Sequence, residues 1–465
     1  MTEKFFVEAQ PYGRWDVVVI GGGPSGAMAG IAAARAGAKT LVVEQHGFLG
    51  GSLTAMGVHP MMSFHNVAGE RVVGGLAQEL IDRLVAVGAS PGHIRDAIGF
   101  NNTITPFDVE SMKATLDEML AEAGGDVLFH TMLAGAHRVN DRLAAVAICS
   151  RAGLLAIEAA CFIDASGDAD LAARAGVPFV KGRAADGATQ PMTMNLRVSG
   201  VDTAAVRRYV EENPDDFYFK DGIDAGLATM RASPRLALGG YRKAWQAARD
   251  RGEVDIARGD ILFFETNTPG EVVLNVSRIQ GLDPNNPADL SKANMIGRRQ
   301  CRQILNFIRK HCVGFENAIP VGTPSQVGVR ESRHPVGLHT LQAEELVREH
   351  AFEDPIARGG YPIDIHAPDK GSTHTHAVHM RREARYGIPL RSLLVASPSN
   401  LVLAGRAVSA THEAAAAIRV TPIAMAIGQA AGTVAALAAQ RGVTPPEVPY
   451  ADVRAKLLAA NAVLA

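Results

Sequence analysis

"VVVIGGGPSGAMAG", residues 17–30, decides the fold. Four β-formers run into three glycines, and small apolar residues follow. "WDVVVI" (15–20) is a continuous apolar run, as in a parallel strand buried on both faces. "PSGAMAGIAAARAG" (24–37) reads as a helix packed through small residues, with Gly37 closing it. "KTLVVE" (39–44) is a second buried strand, so the three pieces make a βαβ crossover. Gly21, Gly23 and Gly26 fit G-x-G-x-x-G. The first allows a tight turn, the second lets backbone approach a pyrophosphate, and the third brings helix close to strand. The helix start at Pro24 and Ser25 offers free N–H groups and partial positive charge to phosphate. Glu44 ends the second strand about 20 residues on, where a carboxylate accepts ribose hydroxyls. A glycine turn alone is weak evidence, but a strand before it and a helix after it are the confirming context. The loop leaves NAD and FAD both open.

The chain has 465 residues and a formal net charge of −2. That length suits two domains, interleaved in sequence. The charge excludes a global field favouring nucleic acid or an anionic membrane. Cys149, Cys161, Cys301 and Cys312 form no CxxC pair, which argues against a disulfide scaffold or thiol relay. The first residues lack an apolar signal core, and no apolar run of membrane-spanning length is expected. A cytoplasmic protein is the expectation. Residues 107–124 read as a helix, and 126–164 as several strands ending at Asp164. Residues 196–394 carry more Pro, Arg, His and Asp, with helices expected at 202–212, 237–251 and 290–311. "NLVLAG" (400–405) is a buried strand. A long helix of small residues follows from Thr421, its expected cap, and Pro422. The division is therefore 1–195, 196–394 and 395–465, the first and last forming one domain.

Several segments together resemble the FAD-dependent oxidoreductases of the glutathione-reductase-like superfamily, near the fumarate reductase flavoproteins. They are "VVVIGGGPSG", "LVVEQHGFLGGSLTAMGV", "CFIDASGDADLAARAGVP", "GATQPMTMNLRV", "VRESRHPVG", "YPIDIH", "YGIPLRSLLV" and "NLVLAGRAVSATHEAAAAIRVTPIAMAIGQAAGTVAAL". They run from near residue 15 to near 440, and 200–320 carry little of the likeness. The resemblance implies an α/β fold: a Rossmann-like FAD-binding domain with a parallel sheet, interleaved with a second α+β substrate domain. It implies that Glu44 and Gln45 meet the adenosine ribose, and that Gly50, Gly51 and Ser52 pass near pyrophosphate and flavin. It places Leu133 backbone by the adenine, and gives Asp164, Ser166 and Gly167 a second turn of the fold. Gly405 and Arg406 fall beside the ribityl and phosphates. Pro422 and Ile423 place a helix N-terminus at the flavin pyrimidine edge, where it stabilises an anionic reduced flavin.

Two departures matter. Covalent members carry a His after the glycine pair, and Leu53 stands near that place here. Non-covalent FAD is expected, with His59 and His65 the remaining candidates for attachment. Aromatic hydroxylases show Gly-Asp where this chain has Gly405–Arg406. No second G-x-G-x-x-G stands between a strand and a helix, which argues against a dedicated NAD(P)H domain.

FAD carries the redox chemistry, and the protein supplies orientation and a proton acceptor. His is the usual acceptor near neutral pH. Three stretches compete: Arg330, Glu331, Arg333 and His334; His374, His376, His379, Tyr386 and Arg391; and His412, Glu413 and Arg419. His412, His334, Arg333 and Arg330 are the candidate catalytic residues, the arginines as clamps for a substrate carboxylate or phosphate. A salt bridge with Glu331 and its neighbours is the bland alternative for Arg330 and Arg333, and a capping role for His412. His374-x-His376 gives two ligands in a loop, too few for a metal site, so no metal is expected.

The leading expectation is a dehydrogenase or oxidase acting on CH–OH or CH–NH of a small polar substrate. An unidentified acceptor, oxygen or another, then reoxidises the flavin. The alternatives are reduction of an activated double bond, a monooxygenase fed by external NAD(P)H, and a non-enzymatic flavin-binding protein. Neither nucleic acid nor membrane is expected as a partner, and the sequence is compatible with a homo-oligomer.

Overall fold

The computed structural model describes residues 7–378 and 380–464. The apolar run at 15–20 closes the first strand, β1 (Gln10–Ile20), whose last four residues are buried. The same sheet continues with β2 (Thr40–Val43), β3 (Asp126–Leu128), β4 (Met132–Val139), β5 (Arg142–Ser150) and β6 (Gly153–Asp164). Their order is β3-β2-β1-β6-β5-β4, and a seventh strand, Leu401–Leu403, returns to lie beside β6. Strand β2 runs parallel to both β3 and β1, and β6 runs parallel to both β1 and the Leu401–Leu403 strand. By contrast, β4, β5 and β6 form an antiparallel meander.

Register sets the site. Ile20 lies opposite both Val43 and Asp164, and Leu403 opposite Asp164. Four carboxyl ends are therefore level. Gly21, Glu44, Ala165 and Ala404 emerge along one edge, where open α/β sheets bind their ligands.

Two helices cover this sheet and touch through backbone. A Cβ on Gly428 would lie 2.0 Å from Ser25 O, and one on Gly432 2.1 Å from Ala29 O. The four-residue spacing puts both glycines on one face. Helix α1 (Pro24–Arg35) thus packs directly on the long helix Thr421–Arg441. That helix corrects two expectations. Its cap position is Val420, and Thr421 already lies in the first turn. It is also long and apolar enough to cross a membrane by length and composition, contrary to the sequence reading. Its small residues are buried inside the protein, 89% of its most apolar window, because α1 covers one side so closely.

A separate core contains residues 192–329. Its five-stranded antiparallel sheet comprises Leu196–Ser199, Ala237–Gly240, Ile261–Glu265, Val272–Leu274 and Ile319–Gly322. The helix Pro287–His311 begins with Asn286, whose side chain accepts from Ala288 N and Asp289 N. The helix expected at 237–251 begins only at Arg242. Ala237–Gly240 is a strand paired with Ile261–Phe264, and a Cβ on Gly240 would meet the Phe217 ring at 2.0 Å. Apolar residues between Leu341 and Leu394 join the core of α1 and the long helix instead. Packing therefore changes partner near residue 330.

Candidate active site

The glycine loop is shaped by backbone contacts. Gly21 has φ +98°, and a Cβ there would lie 2.5 Å from Ala165 O, which only glycine tolerates. A Cβ on Gly26 would sit 1.8 Å from Gly21 O. Gly23 differs: its backbone is extended, and a Cβ would meet nothing nearer than Gly51 Cα at 4.0 Å. The protein leaves that space open. Gly51, at φ +46°, brings the 50–53 turn against Gly23, and Ser52 lies within that turn. Glu44 is buried and accepts from Gly22 N (2.7 Å) and His46 N (2.8 Å). Burial pushes its carboxyl up, and those two N–H bonds oppose the shift.

Asp164 is fully buried and accepts from Ser166 N, Ser166 Oγ and Ala172 N, which ties the second turn. Gly167 (φ +81°) runs under Arg406, whose Nη2 donates to Asp168. Among the described residues, Arg406 Nη1 is buried without an acceptor, and the hydroxyl of Ser25, beside Gly405, is buried without a partner. Neither α1 nor the long helix, which starts with Thr421, Pro422 and buried Ile423, has a side-chain cap. Open space at Gly23, two orphaned polar groups and an uncapped helix start fit a dinucleotide diphosphate. Gln45 is on the rim, 3.4 Å from Gln326 Oε1. Leu133, on β4, pairs with Ile148 of β5. Closer to Glu44 is Thr131, whose N donates to Glu44 O.

The second half of the site centres on Glu331. Its Oε1 lies 2.8 Å from His334 Nε2 and 2.6 Å from His412 Nδ1, and its Oε2 accepts from Gln190 N at 3.0 Å. All four residues are buried. An ionised carboxylate only accepts, so both imidazoles turn an N–H toward it. His412 keeps Nε2 free of protein partners among the described residues, and His334 Nδ1 is buried and unpaired. Burial would raise the Glu331 carboxyl, but the two histidine bonds overcome this and hold it at about 2.

His412 opens the helix His412–Ile418, whose cap is Thr411 Oγ1 accepting from Ala414 N. The strand Arg333–Pro335 alternates, and sends His334 inward and Arg333 out. Arg333 donates to Asp168 O and Asp170 and lies over Phe179. Arg330 donates to Pro191 O and Thr193 Oγ1. A cavity beyond them is lined by Arg330, Glu331, His334, Gly405, Arg406 and Arg419.

Four residues given no role on sequence grounds belong here: Gln190, Tyr361, Asp364 and His366. Asp364 lies 3.3 Å from Tyr361 Oη and 3.4 Å from His366 Nε2, and its carbonyl accepts from Arg419. Burial lowers His366 to about 3 and raises Tyr361 well above its ordinary value. The signal was present in "YPIDIH", where buried Ile363 alternates with acid and imidazole on a strand. The other candidates are elsewhere. Tyr386 is buried and donates to Tyr361 O and Ala417 O, Arg391 pairs with Asp354, and His374 is exposed. His376 has no described side chain, and His379 lies outside the described residues. His59 is packed on Phe107 with both ring nitrogens unpaired, and burial lowers it to about 3. His65 bonds Thr103 Oγ1.

Comparison with known proteins gives three levels of likeness. The profile of the family described as FAD dependent oxidoreductase matches residues 16–457. A thiamine thiazole synthase of Aeropyrum pernix is 34% identical over 150 residues, 32% of this chain and 48% of that protein. A mitochondrial dihydrolipoyl dehydrogenase of Dictyostelium discoideum is 44% identical over 66 residues, 14% of this chain and 13% of that one. The chain thus spans less than half the length of these curated relatives. Among solved structures, a geranylgeranyl bacteriochlorophyll reductase-like protein of Thermoplasma acidophilum aligns with TM-score 0.44 and 15% identity. That alignment covers 97% of this chain and 84% of that one.

Proposed function

The chain belongs to the FAD-dependent oxidoreductase family, and from that premise we propose that it oxidises a small polar molecule at CH–OH or CH–NH, with His412 receiving the proton. The observation that carries this is Glu331, buried and shared between two imidazoles. FAD supplies the hydride acceptor when bound; Gly21–Gly26, Glu44, Ser25 and Arg406 would hold it. Glu331 fixes the tautomer of His412, so that Nε2 carries the lone pair. A carboxylate behind an imidazole also stabilises the imidazolium that forms on proton uptake. His334, on the same carboxylate oxygen, keeps Glu331 in place. In the alternative reading, reduction of an activated double bond, His412 as imidazolium would supply the proton.

The test is anaerobic mixing of FAD-loaded protein with a panel of hydroxy and amino compounds, followed by flavin absorbance. At least one compound should bleach the flavin, and His412→Ala should slow bleaching by about 10²- to 10⁴-fold. Wild-type speed in His412→Ala would reject the assignment.

A further inference from the structure

The cavity beside Glu331 brings three guanidinium groups together, those of Arg330, Arg406 and Arg419. Its one lining carboxylate, Glu331, is already held by His334, His412 and Gln190 N. Arg406 pairs with Asp168. Among the described residues, Arg330 and Arg419 have only neutral acceptors: Pro191 O and Thr193 Oγ1 for one, Asp364 O for the other. Arg419 Nη1 is buried with no acceptor among the described residues. The Asp364 carboxylate acts on both arginines only through space, because its bonds go to Tyr361 and His366. Gln190 Nε2 is a further buried donor without an acceptor.

Half-buried cations whose neighbouring carboxylates are bonded to other groups are costly, and a planar guanidinium matches the two oxygens of an oxyanion. We infer that Arg330 and Arg419 together receive an anionic group of the substrate, a carboxylate or a phosphate. Burial first, and the neighbouring Arg419 second, already hold Arg330 down at about 9; burial lowers Arg419 as well. The Asp364 charge offsets part of that shift, and a bound anion would offset more of it. The inference rests on the proposed oxidation only in calling the ligand substrate, and it narrows that substrate to organic acids or phosphate esters.

The test is binding without turnover. FAD-loaded protein is titrated at fixed ionic strength with sodium succinate, sodium acetate, inorganic phosphate and neutral succinamide, with the visible flavin spectrum and calorimetry as readouts. At least one anion should bind saturably, and succinamide should not. The stronger of the carboxylate and phosphate arms names the group. Arg330→Met and Arg419→Met should each weaken that anion about 10- to 100-fold while keeping wild-type FAD content and a cooperative melt. Arg419→Lys, which keeps charge but loses the fork, should weaken it less. Three results would each overturn the inference: no saturable anion in the wild type, affinities within about twofold in both Met variants, or FAD lost in step with the anion. His412→Ala should still bind the anion, so a failed base assignment and a failed anion site give different results.

Discussion

The two ends of the cofactor site are built by different means. At the diphosphate end, the constraints are backbone contacts among residues close in sequence or level in register. Gly21 against Ala165 O and Gly26 against Gly21 O leave glycine no alternative. At the redox end, the polar groups come from Gln190, Arg330–His334, Tyr361–His366 and His412–Arg419, far apart in the chain. Where backbone packs on backbone, at Gly21 and Gly26, no added atom is tolerated. A cluster of side chains can lose one member and still fold.

That difference predicts a graded series of effects. Gly26→Val should be the largest, because a Cβ 1.8 Å from Gly21 O cannot be accommodated. A loss of more than about 3 kcal/mol is expected, read as a lost cooperative melt and a colourless protein. Glu331→Gln comes next. At neutral pH it should cost about 3 kcal/mol, since the carboxyl sits at about 2 in the folded chain against an ordinary 4.5. A depressed carboxyl contributes fully above about pH 4.5 and loses its contribution as pH falls toward about 2. The stability gap between wild type and Glu331→Gln should therefore close over that range in denaturant titrations. Equal stability of the two at about pH 7 would mean that the histidines do not depend on the charge.

Gly23→Ala sharpens the contrast. The extended backbone accepts alanine and the protein offers no clash. The apoprotein should melt like wild type, while FAD affinity falls about tenfold. An apoprotein as unstable as Gly26→Val would show that the space at Gly23 is not reserved for a ligand. Arg333→Ala should do least. Its partners are Asp168 and Asp170, so a stability loss of about 1 kcal/mol is expected. Flavin reduction should stay within about threefold of wild type.

Legibility followed the same division. Gly21, Gly23, Gly26 and Glu44 stand within one βαβ unit, so spacing alone placed them. The long C-terminal helix was legible from its small residues, though Gly428 and Gly432 show what spacing could not: a contact with one particular partner, α1. The strand at 237–240 was missed because "LALGG" has no strand-like periodicity and is held by pairing with Ile261–Phe264. At the redox end, Arg330 and Arg333 looked equivalent in "RESRH". Strand alternation at Arg333–Pro335 sends the second away to Asp170. Asp364 and His366 were visible as letters, but their place beside Arg419 comes from a contact between His412–Ile418 and a distant strand, Ile363–His366.

The central claim is that His412, held by Glu331, is the proton acceptor at the redox end. The most direct measurement is the pH dependence of the limiting rate of anaerobic flavin reduction, in wild type and in His412→Ala, with the substrate the panel identifies. A base must be neutral to accept, so the wild-type rate should rise with pH through one ionisation. In His412→Ala the rate should be lower and that ionisation missing. The same rise in the variant as in the wild type would contradict the account.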